Sequence, residues 1–247
     1  MGSYSVTPAA APVIDEILPA SVASAWTTEE WIEVPLYVEE SLALGRAVDK
    51  RRREFVTGRA CARQALARLG FRPRSVPSGR RGEPVWPQGV VGSITHCRGY
   101  VACAVASREM LGAIGIDAEP HAALGEEILP DIVTPAENRR LTDLSAASAD
   151  VHWDRVWFSA KEAVYKAWFP LTGRRLGFHD VELTVDRAGG RFVAQIRMPG
   201  ARVNGESIRR FNGRWLIRDG LTLTAVVVPH ASAHDLSGAQ VPGGHCT

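Results

Sequence analysis

Residues 111–119 read LGAIGIDAE, an apolar run that ends in two acidic residues, and this stretch decides how the rest of the chain is organised. The run from Leu111 to Ile116 is typical of a β-strand. Because side chains alternate along a strand, Asp117 and Glu119 are expected on one face, with Ile116 and Ala118 on the other. The strand lies near the middle of the chain, so it predicts two lobes of similar size that meet there.

Helix and strand patterns lie on both sides of this stretch. Residues 39–69 have a helical pattern that Gly70 and Pro73 close, and residues 151–168 have a second one. Thr134, Pro135 and Glu137 have the signature of a helix start with a capping box. Residues 90–94 and 100–107 fit strand or helix, and strand patterns cover 181–185, 192–196, 214–217 and 221–228. We therefore predict an α+β fold in which helices pack on mostly antiparallel sheet, with a ligand cleft between the lobes.

The two ends of the chain differ from the rest in composition, since both are rich in Ala, Ser, Gly and Pro. We expect flexible tails at residues 1–12 and 231–247. The N-terminal lobe is then expected at residues 13–116 and the C-terminal lobe, which carries the acidic residues, at 117–230.

Composition excludes several classes of protein. The net charge is only +2, so no basic field covers the whole molecule and no nucleic-acid partner is expected. The N-terminus has no secretory signal, and no apolar run reaches the roughly 20 residues that span a bilayer. We expect a cytoplasmic protein without a membrane partner. The cysteines have no CxxC pairing, so a zinc site is not expected; they are Cys61, Cys97, Cys103 and Cys246.

The pair Asp117 and Glu119 poses a charge problem. Two carboxylates on one face of a strand repel each other and need a proton, a cation or open water. A hard divalent cation such as Mg²⁺ would remove the repulsion. Taken alone, the pair fits slightly better with a simpler interpretation, in which Asp117 caps the next segment and Glu119 is an exposed loop residue.

A further acidic residue, Glu162, lies on a predicted helix with the sequence WFSAKEAVYKAW, residues 157–168. Glu162 and Lys166 are four residues apart and share a helix face. An ordinary surface ion pair is the plain alternative. Trp157, Tyr165 and Trp168 make full exposure of this helix improbable, which favours a face turned to a cleft or a partner.

A histidine follows the apolar stretch in GSITHC, residues 92–97. A lone histidine is most often a half-buried residue whose hydrogen bonds are satisfied. The alternative is a phosphate site, because His96 and Thr95 can both hydrogen-bond an anionic oxygen.

Three motifs occur in a fixed order: GSITHC, GIDAEP and WFSAKEAVYKAW. This order resembles that of the phosphopantetheinyl transferases of the Sfp type, and the motif sequences are most similar to the actinobacterial branch of that family. The match extends to RRREFVTGR at residues 51–59, GEPVWP at 82–87 and FPLTG at 169–173. The resemblance implies a monomer of two similar α+β lobes related by a pseudo-twofold axis. It also implies transfer of 4'-phosphopantetheine from coenzyme A to a serine of an acyl or peptidyl carrier protein, with release of adenosine 3',5'-bisphosphate.

The resemblance assigns roles residue by residue. It implies that Asp117, Glu119 and Glu162 hold Mg²⁺ and the pyrophosphate, with Mn²⁺ left open as a substitute. It implies that Lys161 and Lys166 are the lysines of the conserved helix motif and contact coenzyme A. The coenzyme A phosphates are expected at Thr95, His96, Arg51 and Arg59, and at either Arg80 or Arg81.

The chemistry of these groups suggests a mechanism. Glu162 is the first choice for the base that takes the serine proton, directly or through a metal-bound water, and a water without a dedicated protein base is the alternative. Lys166 is expected to stabilise or protonate the leaving phosphate. His96 is expected to orient phosphate. Arginine suits phosphate because its planar fork donates two parallel hydrogen bonds. For Arg52, Arg53 and Arg63 a solvated helix face is preferred.

The implied partners are apo carrier proteins of polyketide, nonribosomal peptide or fatty-acid synthases. Residues 122–134 fit a carrier contact and a plain surface connection equally well. Two other classes compete with this interpretation. A nucleic-acid module predicts aromatic and basic residues on a sheet, whereas the aromatic residues here lie mainly on the Glu162 helix. A metal-dependent nuclease or phosphatase would use the same carboxylates but need no coenzyme A pocket.

Overall fold

Two antiparallel sheets, each covered by one long helix, form the protein. The computed structural model describes residues 14–31, 33–45, 48–203 and 205–230. The expected tails at 1–12 and 231–247, together with Cys246, lie outside the described residues. In the described part of the chain, no helix is long and apolar enough to cross a membrane.

The N-terminal lobe is a three-stranded sheet with a helix on one face. Its strands are β1 (Ala23–Thr27), β2 (Val90–Cys97) and β3 (Tyr100–Ser107), in the order β1-β3-β2. A short helix α1 (Val38–Ser41) precedes the long helix α2 (Asp49–Arg68). Small side chains of α2 pack against β3, so the helix lies close to the sheet; the buried set includes Cys61, Ala62, Ala65, Leu66, Val101, Cys103 and Val105.

The C-terminal lobe has a five-stranded sheet and three helices. The strands are β4 (Leu111–Pro120), β5 (Val181–Asp186), β6 (Arg191–Ile196), β9 (Arg210–Arg218) and β10 (Leu221–Pro229), in the order β4-β10-β9-β6-β5. A small hairpin joins β7 (Ala201–Val203) to β8 (Glu206–Ile208). The helices are α3 (Leu129–Ile132), α4 (Pro135–Ala147) and α5 (Trp153–Thr172). All strand pairs among the described residues are antiparallel, which confirms the predicted α+β class.

The predicted elements are found with shifted ends. The capping box at the start of α4 is confirmed: the Glu137 amide donates to the Thr134 hydroxyl, and the Thr134 amide donates to the Glu137 carboxylate. All of β4 belongs to the five-stranded sheet, so the expected boundary between residues 116 and 117 falls inside a strand. The two sheets change over in the turn at 108–110.

The two sheets meet edge to edge along β2 and β4 without forming a continuous ladder. Hydroxyl groups replace the missing backbone bonds: the Ile116 amide donates to Ser93 Oγ at 3.1 Å and the Ala118 amide to Thr95 Oγ1 at 3.0 Å. Because Ser93 and Thr95 are two residues apart, both point from β2 toward β4. We call this junction the seam.

Helix α5 lies unusually close to β4 at Gly115. A Cβ at this position would meet the backbone of α5, at 2.7 Å from the Ala167 nitrogen and closer still to the Ala163 carbonyl oxygen. Backbone atoms of a helix cannot move aside as a flexible side chain can. Glycine at 115 therefore sets the distance between α5 and the strand that carries Asp117.

We expect Gly115→Ala to destabilise the protein by about 3 kcal/mol, because one methyl group overpacks a rigid helix–strand contact. Gly112→Ala on the same strand is the matched control, since its new Cβ would come no closer than 3.3 Å to a Val203 methyl group. Chemical denaturation of both variants measures the difference. Equal stability of the two variants would contradict the close contact at Gly115.

Candidate active site

One face of α5 carries four polar side chains in a line. Arg155, Ser159, Glu162 and Lys166 follow each other at four, three and four residues, the spacing of side chains on a single helix face. The Ser159 hydroxyl is 2.9 Å from the Thr224 hydroxyl on β10. We call this line the polar stripe of α5; it faces the sheet at β4 and β10.

Asp117 is buried at the seam, where it pairs with Lys166, the last residue of the polar stripe. Its exposed fraction is only 4%. The Lys166 ammonium donates to Asp117 Oδ1 at 2.7 Å, to the Ile116 carbonyl at 3.1 Å and to Thr95 Oγ1 at 3.3 Å. The Thr95 hydroxyl also donates to Asp117 Oδ1 at 3.3 Å. Strand β2, strand β4 and helix α5 thus each place one side chain at this point.

The second oxygen of Asp117 is different. Oδ2 is buried and has no hydrogen-bond partner among the described residues. A buried carboxylate oxygen without a partner costs free energy, so it marks a place where a donor or a cation belongs.

Glu119 lies at the other end of the polar stripe, where Arg155 binds it. The guanidinium NH1 is 3.0 Å from Glu119 Oε2. Burial, together with the nearby negative charge of Asp117, raises the pKa of Glu119 to about 7. The cations Arg155 and Lys166 oppose this shift without cancelling it. The charge repulsion predicted for the pair is therefore present.

Glu162 lies between these two ends of the stripe. Its carboxylate has no hydrogen bond or ion pair with the described residues. Burial raises its pKa; Lys166 opposes this shift and the charge of Asp117 adds to it. A half-buried carboxylate without a partner can accept a proton or bind a cation, which are the two roles left open for Glu162.

The three carboxylates do not form a closed metal site on their own. In the described ranges, no three His, Cys, Asp or Glu side chains stand close enough to hold a metal ion. The hypothesis that Asp117, Glu119 and Glu162 together bind one divalent metal ion stays a prediction. Two of the three are instead engaged by cations of the same helix, Lys166 and Arg155.

The chemistry of these groups nevertheless fits Mg²⁺. Lys166 and Arg155 pair with two of the three carboxylates, which leaves one negative charge in excess. The second oxygen of Asp117 also has no partner among the described residues. Mg²⁺ is usually bound by one or two carboxylates, with water and substrate phosphate as its other ligands. A site of this open kind needs no third protein ligand in place beforehand.

His96 lies between the carboxylates and α2. Its Nε2 is 3.4 Å from Arg51 NH1, and its Nδ1 is 3.8 Å from Glu54 Oε2. Burial lowers the pKa of His96, so the ring is mainly neutral at pH 7. A neutral histidine beside Arg51 can donate one hydrogen bond to a phosphate, which agrees with an orienting role.

Arg59 is buried in α2 and anchors the loop at residues 77–84. Its NH2 donates to Ser78 Oγ at 2.8 Å, and its guanidinium lies 4.2 Å from the Phe55 ring centre. Burial lowers the pKa of Arg59 to about 10, so the group stays cationic at neutral pH. Its buried Nε has no partner among the described residues.

The loop at 77–84 crosses from α2 to α5. The Arg81 guanidinium lies 5.3 Å from the ring centre of Phe169, on α5. Arg80 is exposed and makes no hydrogen bond or ion pair with the described residues. Both arginines are exposed, and of the two it is Arg81 that contacts the helix bearing Glu162.

Lys161 is not brought together with these residues. Its ammonium is fully buried and donates to Glu137 Oε2 at 2.8 Å and to the carbonyls of Ile132 at 2.8 Å and Phe178 at 2.9 Å. All three of its protons are used. The structure thus places the Lys161 ammonium in the core of the C-terminal lobe, while the same residue lines a cavity beside Glu162. Its expected contact with coenzyme A stays a prediction.

Of the arginines expected on a solvated helix face, Arg63 is mostly buried, whereas Arg53 is partly exposed in a surface ion pair. Arg63 pairs with Glu40 at 2.8 Å, and this carboxylate is completely buried. Arg53 pairs with Glu30 at 2.7 Å. Both side chains tie α2 to the segment before it.

A cavity of about 440 Å³ opens beside Glu162. Half of its lining residues are aromatic or aliphatic and three are charged; the lining comprises Lys161, Glu162, Tyr165, Arg175, Leu176, Gly177, Phe178 and Val181. A cavity of this size and mixed character suits a small organic group next to the carboxylates.

Arg155 is the site residue that sequence reasoning missed. The available signal was its spacing, because it lies seven residues before Glu162, two helical turns away. The spacing alone does not reveal a partner, since Glu119 lies 36 residues earlier in the chain.

The junction of two α+β lobes thus combines acidic groups, a lysine and arginines of the kind that bind phosphate. This combination defines a protein of phosphoryl-transfer type. Comparison with known proteins gives the family. Residues 39–106 match the 4'-phosphopantetheinyl transferase N-terminal domain, and residues 113–214 match the 4'-phosphopantetheinyl transferase superfamily.

Curated relatives cover most of the chain. The 4'-phosphopantetheinyl transferase Svp of Streptomyces mobaraensis is 46% identical over 212 residues, 86% of this chain and 86% of its own. Npt of Nocardia iowensis is 45% identical over 222 residues, 87% of this chain and 99% of its own. PptT of Mycobacterium tuberculosis is 47% identical over 194 residues, 77% of this chain and 85% of its own. The chain belongs to the 4'-phosphopantetheinyl transferase family.

Proposed function

We propose that this transferase moves the phosphopantetheine group of coenzyme A to a serine of apo carrier proteins of polyketide, nonribosomal peptide or fatty-acid synthases, with Mg²⁺ as cofactor. Mn²⁺ is the expected substitute, and the enzyme is expected to act as a monomer. The observation that carries the proposal is the excess of carboxylates over cations at this site, where Asp117 Oδ2 and Glu162 have no partner among the described residues and a cavity opens beside them.

The proposed reaction is attack of the serine oxygen on the β-phosphorus of coenzyme A. The new bond joins this oxygen to phosphorus, and the bond from that phosphorus to the bridging oxygen breaks, releasing adenosine 3',5'-bisphosphate. When bound, Mg²⁺ supplies charge neutralisation at the pyrophosphate oxygens. Catalysis of this type depends mainly on positioning and electrostatics.

The proton transfer, the stabilisation of the leaving group and the binding of the phosphates are assigned to residues of the chain. Glu162 takes the serine proton, directly or through a water, or serves as a ligand in addition. Lys166, held at Asp117, places a positive charge beside the departing phosphate. His96, Arg51 and Arg59 bind and orient the phosphates at the far end of the nucleotide. The cavity beside Glu162 offers room for the pantetheine arm.

The test combines the purified protein with coenzyme A, Mg²⁺ and a panel of apo carrier proteins, with mass spectrometry of each carrier. We expect a mass gain of one phosphopantetheine group on the serine, and none when the metal is chelated. Hydrolysis of coenzyme A without transfer to a carrier would favour a nuclease or phosphatase. No transfer to any carrier, in a protein that binds Mg²⁺, would overturn the proposal.

We expect Arg59→Ala to raise the Michaelis constant for coenzyme A about tenfold with a smaller effect on turnover, because a phosphate contact present in ground and transition states alike contributes to binding. Steady-state kinetics with one carrier measures both constants. Arg191→Ala, at an exposed position on β6, removes the same charge away from the site and serves as the control.

The Arg59 side chain also holds the loop at 77–84 through Ser78. A raised Michaelis constant in Arg59→Ala could therefore come from the lost phosphate contact or from the released loop. Ser78→Ala removes that hydrogen bond and leaves the guanidinium in place. An equal rise in the Michaelis constant for Ser78→Ala and Arg59→Ala would assign the effect to the loop, and an unchanged constant in Arg59→Ala would exclude Arg59 from the site.

A further inference from the structure

Arg155, in the first turn of α5, is the group that joins the end of β4 to the helix. Its NH1 lies 3.0 Å from Glu119 Oε2, its Nε donates to the Ala122 carbonyl at 2.9 Å, and its NH2 donates to the Ala123 carbonyl at 3.3 Å. The three nitrogens of one planar group thus contact three separate oxygens. Only 16% of its side chain is exposed.

The neighbouring residue strengthens this connection. Asp154 Oδ2 accepts a hydrogen bond from the Leu124 amide at 2.6 Å. Two side chains of α5 therefore hold the backbone after β4. Arg155 donates to two of its carbonyl oxygens, and Asp154 accepts from one of its amides. Backbone oxygens fix where the guanidinium lies, so its position does not depend on Glu119.

This fixed guanidinium determines the position of Glu119. The guanidinium of Arg155 contacts only Oε2 of Glu119. Oε1 of Glu119 has no hydrogen bond with the described residues, so this oxygen remains available for a ligand. Without the ion pair, the charge of Asp117 would push the partly exposed Glu119 side chain toward water. A carboxylate that is already ordered loses less side-chain entropy when it binds a cation.

We propose that Arg155 is a positioning residue that holds Glu119 in place for the divalent cation and so sets the affinity of the site for metal. The inference rests on the proposed function, since it requires that Asp117 and Glu119 bind this cation. It makes a prediction with a definite sign. A cation that acted only by its charge would repel the metal, so its removal would tighten metal binding. Removal of a positioning residue weakens it.

The experiment measures Mn²⁺ binding by electron paramagnetic resonance of the free ion, which does not depend on turnover. We expect Arg155→Met to weaken Mn²⁺ binding at least tenfold relative to the unchanged protein. Arg155→Lys is expected to fall between the two, because an ammonium reaches Glu119 but cannot also reproduce the planar fork to both carbonyls. Arg140→Met removes an arginine from the exposed ion pair with Glu182 and should leave Mn²⁺ binding unchanged.

Two further readouts separate positioning from a structural role. With saturating coenzyme A and carrier, we expect Arg155→Met to need more metal for half-maximal rate, with the Michaelis constant for coenzyme A unchanged. A lower melting temperature with unaltered Mn²⁺ affinity would make Arg155 a structural residue and overturn the inference, as would tighter Mn²⁺ binding. If the unchanged protein neither binds Mn²⁺ nor modifies a carrier, the proposed function itself fails; if it does both, the variants test Arg155 alone.

Discussion

Glu162→Gln is expected to lower the rate of phosphopantetheine transfer by about 10³-fold, the usual range for loss of a group that handles a proton or charge in the transition state. Glutamine keeps the shape of the side chain but can neither take a proton nor balance a cation. Glu162 makes no hydrogen bond or ion pair with the described residues, so the change should leave the melting temperature unaltered. Mass spectrometry of an apo carrier over time measures the rate.

The same variant separates the two roles left open for Glu162. Weaker Mn²⁺ binding in Glu162→Gln would identify a metal ligand, and unchanged binding with lost turnover would identify a base. Glu206→Gln on β8, at an exposed position, is the control for the loss of one charge. If Glu162→Gln retained more than a tenth of the rate, Glu162 would have neither role.

Lys161→Met is expected to destabilise the protein by about 3–5 kcal/mol, since removing one partner of a buried ion pair leaves the other charge uncompensated. Both side chains of the Lys161–Glu137 pair are fully buried. Glu137 also accepts hydrogen bonds from the Trp157 indole and the Leu183 amide, so its position matters for several elements. Chemical denaturation measures the loss.

A matched exposed ion pair provides the control for Lys161. Arg197 and Glu182 are 2.9 Å apart at the surface, where such pairs contribute about 1 kcal/mol or less. We expect Arg197→Met to change stability by no more than that. A Lys161→Met protein of full stability with a raised Michaelis constant for coenzyme A would support the expected coenzyme A contact and contradict the buried position.

Sequence patterns predicted the parts of the site that depend on local geometry. Alternation along residues 111–119 placed Asp117 and Glu119 on one face, and the α5 spacing placed Glu162 and Lys166 together. The capping box of α4 was readable because its residues are neighbours in sequence. Strand β1 (Ala23–Thr27) was missed, since its five residues lack a clear alternation and become a strand by pairing with β3, whose partner residues lie 74 to 82 positions later in the chain.

The two lysines of α5 show where such prediction stops. Lys161 lies four residues after Trp157 and seven before Trp168, on the side of the helix that enters the core. This spacing was visible in the sequence, but a lysine there is tolerated only because Glu137 meets it, and no local pattern gives a contact across 24 residues. Lys166, five residues later, faces Asp117 instead.

Thr95 joins the seam to the site through a single atom. Its Oγ1 accepts from the Ala118 amide across the seam and from Lys166, and it donates to Asp117. The bond that aligns the two lobes and the bond that fixes the buried carboxylate therefore share one oxygen. Any change that separates the two lobes at this point would therefore also release one hydrogen bond from Asp117. The alignment of the lobes and the order of the buried carboxylate are in this way coupled through one hydroxyl group.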